Sequence, residues 1–217
     1  MTLFALLLFP LYFAYWLLEN KKPLAPFFFN AFLGVFLAAI YCAYKHFFSP
    51  FYFITPDSFW RNFLHIFIEQ ILLPLGVLTA AFLFVYKKDK AEYRAANVLP
   101  FYLGFYAVYL PFRILSAPLP YSAFALFAKP LLFLLMLLLV AEREKVLFVP
   151  SARALLNGRD LAFCWADFVL APLLPAAIEA LWILGARPPI AFVCVLLCCA
   201  GSVLRLAKGG ARLSSDA

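Results

Sequence analysis

Apolar positions in this chain come in long unbroken runs, and short clusters of Lys, Arg, Asp and Glu separate them. Runs at 2–18, 27–44, 63–86, 95–112, 119–141, 161–184 and 189–204 each approach the roughly 17 to 20 apolar residues that cross hydrocarbon as a helix. The pattern predicts an all-α fold, a polytopic transmembrane helical bundle of about seven helices. Six helices result if a terminal segment is lost or re-entrant, because the first, fourth and last runs are short or interrupted by proline. Residues 1–206 read as a single bundle and 207–217 as a short disordered cytoplasmic tail. No internal repeat and no separate soluble domain is visible. The first run has no basic residue ahead of it and its charges follow it, so it reads as a retained helix and not a cleaved leader.

Lys and Arg set the direction. Loops holding Lys21, Lys22, Lys87, Lys88, Lys90, Arg94, Arg143, Lys145, Arg153, Arg159, Arg205, Lys208 and Arg212 alternate with loops holding only Lys45, Arg61, Arg113 and Arg187. Basic loops stay in the cytoplasm, which predicts the N-terminus outside and the C-terminus inside. The aromatic stretch 46–62 then lies along the outer surface, as an anchor or as a lid over a cavity mouth. The stretch 142–160 suggests a short basic helix at the cytoplasmic face.

Composition agrees with a lipid solvent. Of the 217 residues, 67% are hydrophobic and 13% charged, whereas about 25% charged is usual in soluble domains. The net charge of +7 resides in short loops and no nucleic-acid-binding module accompanies it, so nucleic acid is excluded as a partner. Cys42, Cys164, Cys194, Cys198 and Cys199 all fall in or beside apolar runs without a C-x-x-C spacing. They read as small apolar filling, not as metal ligands or a redox pair.

Candidate chemistry lies in the few ionisable residues inside the runs, where each costs a few kcal/mol of insertion energy and so faces protein, water or a partner. A rise of about 1.5 Å per residue puts Lys129 about 15 Å down, near the midplane. Glu69 and Glu179 fall about 9 and 8 Å below the outer ends of their helices, with His65 one turn above Glu69 and Arg113 at the outer mouth. The candidate substrate-binding or ion-pair set is therefore Lys129, Glu69, His65, Glu179 and Arg113. Asp167 stands alone towards the cytoplasmic side. His65 and Glu69, at i and i+4, share a helix face and suit a proton relay. Pro130 lacks an N–H and frees the carbonyl of Leu126, beside Lys129.

Three readings of Lys129 stay open. It pairs with Glu69 or Glu179 and pins helices together; it forms the floor of an outward-facing polar site; or the window is misplaced and the lysine snorkels. Catalytic residues, cofactors and metals are not predicted. Of the two histidines one falls in a loop, which excludes a bis-histidine haem within the bilayer; two are too few for a three-histidine zinc site, and no H-E-x-x-H occurs. A Ser122–Lys129 dyad is opposed by the two helical turns between them, about 10 Å.

Residues 151–175 resemble the cytoplasmic coupling loop of binding-protein-dependent ABC permeases. Ala154 and Gly158 match the last alanine and the glycine of its E-A-A-x-x-x-G core. Ala152 replaces the glutamate, Arg153 the middle alanine, and Pro172 falls one residue late, so the family is not inferred from it. The charges point first to a small transporter or permease-like protein with an outward-facing polar site for an anion or proton-coupled substrate. The alternative is a noncatalytic membrane subunit or assembly factor whose buried charges pair within the bundle or with another membrane subunit. A lipid-modifying membrane enzyme ranks third. The expected location is the plasma (inner) membrane, with the lipid bilayer as the main partner.

Overall fold

The computed structural model describes residues 2–20, 24–48, 58–116, 124–148 and 150–185. These residues are all-helical. The helices are α1 (Thr2–Asn20), α2 (Leu24–Phe48), α3 (Phe59–Val85), α4 (Ala91–Leu115), α5 (124–148), the single turn α6 (Pro150–Ala154) and α7 (Gly158–Ile183). Five of them, α2, α3, α4, α5 and α7, are long and apolar enough to cross a bilayer, while the apolar part of α1, Leu6–Leu18, is shorter. The chain is a multi-pass integral membrane protein. Helices are the form such runs must take, because hydrocarbon offers backbone groups no partner outside the segment. The seventh expected span, at 189–204, lies outside the described residues, as do Ser122, Cys194, Cys198, Cys199, the tail and most of the aromatic stretch 46–62.

Observed helices outlast the apolar runs that signal them. Helix α4 begins at Ala91 and α5 ends at Phe148, because charged residues continue a helix that a hydropathy window has already left. The expected basic helix over 142–160 is accordingly divided. Residues 142–148 finish α5, α6 is one turn, and Asn157 caps α7 by accepting a 2.9 Å bond from the Asp160 N–H. Such a side chain fills one of the orphan donors of a helix start.

Successive long helices run antiparallel. Phe13 meets Phe28 across α1 and α2, Thr79 meets Tyr102 across α3 and α4, and Lys129 meets Glu179 across α5 and α7. Helices α4 and α5 form the centre: 72% of the apolar window of each is buried, against 33% in α2, α3 and α7. The core is aromatic, with Phe9, Phe101, Tyr102, Phe105, Tyr106, Tyr109 and Phe133 almost wholly enclosed. Outward faces are equally apolar, with Leu11, Phe29, Phe32, Phe36 and Phe84 exposed. Lipid, not water, suits such a surface.

Helices α2 and α4 approach backbone to backbone. A Cβ at Gly34 would collide with the Phe101 carbonyl oxygen, and one at Gly104 with that of Ala31. Small residues allow this in membranes, where close van der Waals packing takes over the role that water plays in soluble cores. Near the start of both helices, Tyr86 donates to Asn30 Oδ1, Asn30 Nδ2 to Asn97 Oδ1, and Asn97 Nδ2 to the Tyr93 carbonyl at 2.9 Å.

Two stretches widen from α- to π-helical winding: Ile66–Leu72 in α3 and Phe124–Ala128 at the start of α5. At the first, the Leu73 N–H reaches the Ile68 carbonyl, five residues back. Each stretch ends two positions before a proline, Pro74 or Pro130. A helical proline offers no N–H to the carbonyl four residues back and its ring crowds that carbonyl. Widening the winding is one way to relieve both. Proline alone does not dictate it, since Pro10, Pro100, Pro111, Pro172 and Pro175 lie in ordinary α-helix.

Candidate functional site

The two π-helical stretches meet. Lys129, the first residue after one of them, sends its ammonium to Gln70 Oε1 on the other at 2.8 Å. The same nitrogen lies 2.6 Å from Glu179 Oε1 on α7 and 5.9 Å from the centre of the Phe133 ring. Lys129 thus ties three helices, α3, α5 and α7, at one point, and it is only 8% exposed. The Gln70 carbonyl, which receives no N–H from Pro74 four residues on, is reached by the Tyr109 hydroxyl of α4 at 3.3 Å.

Glu69, adjacent to Gln70, turns the other way and takes Lys45 of α2 as its ion-pair partner. Lys45 is therefore not the loop cation that its place among Tyr44, His46 and Phe47 suggests; it is a buried residue. His65 lies in the electrostatic field of Glu69, Arg113, Lys45 and Glu179, and Arg113 acts on Lys129 and on Tyr41 as well. All five residues singled out in the sequence, Lys129, Glu69, His65, Glu179 and Arg113, consequently gather at one end of the bundle. Of the two acids open to Lys129, Glu179 is its partner. The i, i+4 relation of His65 and Glu69 spans the boundary between α and π winding, and the carboxylate closes on Lys45.

Among the described residues the cluster holds the cations Lys45, Arg113 and Lys129 together with the acids Glu69 and Glu179. It also has unmet hydrogen-bonding capacity. Among the described residues, Glu179 Oε2 has no donor and the buried Tyr41 hydroxyl has no partner. Buried polar atoms are rarely left so, and where they are, a ligand, water or proton is the usual complement.

Asp167 does not stand alone. It pairs with Arg143 at 2.8 Å, a second link between α5 and α7 at the opposite end of the bundle. Glu144 was not anticipated as a buried group, yet it is enclosed and accepts a 2.9 Å bond from the Tyr102 hydroxyl. Helical spacing carries the missed signal: Phe133, Leu137, Val140 and Glu144 recur along one inward stripe of α5. Gln70 gave no signal of its own, being uncharged. Cys42 and Cys164 are buried free thiols, and among the described residues no three His, Cys, Asp or Glu side chains converge as metal ligands would.

Comparison of the chain with protein-family models, with curated proteins and with solved structures finds no match in any of the three.

Proposed function

We propose that this chain is a small transporter or permease-like protein of the plasma (inner) membrane, whose polar cluster receives an anion or a proton-coupled substrate from the outer face. One observation carries the reading: two π-helical stretches, each just ahead of a proline, bring Gln70 and Lys129 together in the interior of a bundle of apolar helices. Such winding is rare and recurs at functional sites. The buried Lys129 ammonium favours an anion, the Tyr41 hydroxyl offers it a donor, and Glu179 Oε2 offers a place for a proton.

The chemistry is exchange of partners. An entering anion takes the Lys129 ammonium from Glu179, and Glu179 then accepts a proton, since a lone buried carboxylate is far less stable than a paired one. Anion and proton move together, and release of both restores the pair. The test is flux into proteoliposomes carrying a pH-sensitive dye, with chloride, phosphate, acetate and lactate gradients imposed in turn. The wild type should collapse at least one gradient with proton movement, and Lys129→Met should abolish it while retaining helicity. Wild-type vesicles no leakier than empty ones to all four anions would sink the reading.

A noncatalytic membrane subunit is the second reading. It is supported by the same pairs seen as cross-links: Lys45–Glu69 joins α2 to α3, and Lys129–Glu179 and Arg143–Asp167 join α5 to α7. It predicts stoichiometric co-purification with another membrane chain and no flux.

A further inference from the structure

Glu144 lies about 22 Å along α5 from Lys129, at the other end of the bundle. Its carboxyl is buried, with the residue 6% exposed. The Tyr102 hydroxyl donates to Glu144 Oε1 at 2.9 Å and lies 2.8 Å from Thr79 Oγ1. Since Tyr102 gives its proton to the carboxylate, Thr79 is the donor in the second bond, and both dipoles point at Glu144. That arrangement stabilises a negative charge.

This carboxylate has no ion-pair partner among the described residues, whereas Glu69, Glu142, Asp167 and Glu179 each have a Lys or Arg within ion-pair distance. Beside it opens a cavity of about 170 Å³ whose other walls include Thr79, Phe82, Leu83, Ala95 and Val98. An apolar cavity of about 150 Å³ holds one benzene ring, so the space takes a molecule with one ring or a short alkyl group.

We propose that this cavity binds a small amphiphilic organic cation, its protonated amine on Glu144 and its hydrocarbon against Phe82, Leu83 and Val98. The ligand ammonium supplies to Glu144 what lysine and arginine supply to Glu69, Glu142, Asp167 and Glu179, and the Phe82 side chain lines the same cavity. Arg94 also lines the cavity, but an anion drawn to it would lie against the Glu144 carboxylate. The site is separate from the Lys129 cluster and independent of the transport reading.

Isothermal titration of the detergent-purified full chain with benzylammonium tests this, with benzyl alcohol and benzoate as probes of the same size. Benzylammonium should bind saturably, and the two controls at least about tenfold more weakly. Glu144→Gln should weaken benzylammonium binding by at least about tenfold, as expected when a desolvated charge partner is removed. Ala95→Phe, which fills the cavity and leaves the carboxylate intact, should have the same effect, and it decides the matter if Glu144→Gln does not fold. Absence of saturable binding to the wild type, equal binding of benzyl alcohol or benzoate, or binding that survives both substitutions overturns the proposal.

Discussion

The Lys129 ammonium and the Glu179 carboxylate lie 2.6 Å apart in the interior of an apolar bundle, and each is the other's only ion-pair partner among the described residues. Breaking one side leaves the other charge buried, which costs about 3 to 5 kcal/mol. Lys129→Met and Glu179→Leu should each lower thermal stability in detergent by that order. The double variant should recover most of the loss, because a well-packed apolar pair replaces a buried ion pair at little cost. A double variant as unstable as the sum of the two singles would show that the residues do not act as a pair.

Pro130→Ala returns an N–H to the position four residues after Leu126. The winding over Phe124–Ala128 should then close towards α geometry, gaining about 1 to 3 kcal/mol of stability and turning Lys129 away from Gln70. Hydrogen exchange of the amides at 124–130 reports the first effect. Any anion-dependent flux should fall despite the greater stability, a combination that simple damage to the fold does not produce.

Close approach of α2 to α4 rests on Gly34 and Gly104, where a methyl group meets backbone carbonyls that no rotamer change moves aside. Gly34→Ala and Gly104→Ala should each cost about 1 to 3 kcal/mol, as overpacking does. Gly76 has open space around its missing Cβ, so Gly76→Ala should leave the melting temperature unchanged or raise it slightly. Equal behaviour of all three variants would remove the close-packed seam from the account of stability.

Tyr86 sits just past the end of α3, and burial, helped by Tyr93 and Asp89, pushes its hydroxyl from 10.0 up to about 12. The folded protein therefore holds this proton more tightly than the unfolded chain. Its contribution to stability is complete below pH 10 and is lost as pH rises towards about 12. Alkaline unfolding followed by circular dichroism should show that loss in the wild type. Tyr86→Phe should be less stable at neutral pH, having lost the bond to Asn30, and should fall less steeply over the same window.

The spans were legible because charge is scarce in them, and Lys129, Glu69 and Glu179 were legible for the same reason turned round. Lys45 and Glu144 were hidden by their neighbours. Each lies at the end of an apolar run beside other polar residues, where a charge usually meets water. In the Glu142, Arg143, Glu144, Lys145 sequence, helical rotation sends neighbours to different sides: Glu142 and Lys145 pair with each other, Arg143 reaches Asp167, and Glu144 turns inward. Composition averages over that rotation and packing resolves it. Gln70 was beyond reach for a different reason. Its role depends on π winding in two helices at once, and the prolines that accompany it are matched by five others that leave α-helix intact.

The order of synthesis gives Gln70 a further meaning. Lys129 leaves the ribosome 50 residues ahead of Glu179, and 59 residues after Gln70. When α5 is made, the Glu179 carboxylate of α7 does not yet exist, whereas Gln70 of α3 does. Of the two acceptors that Lys129 has in the folded bundle, the neutral one therefore precedes it in synthesis and the acidic one follows.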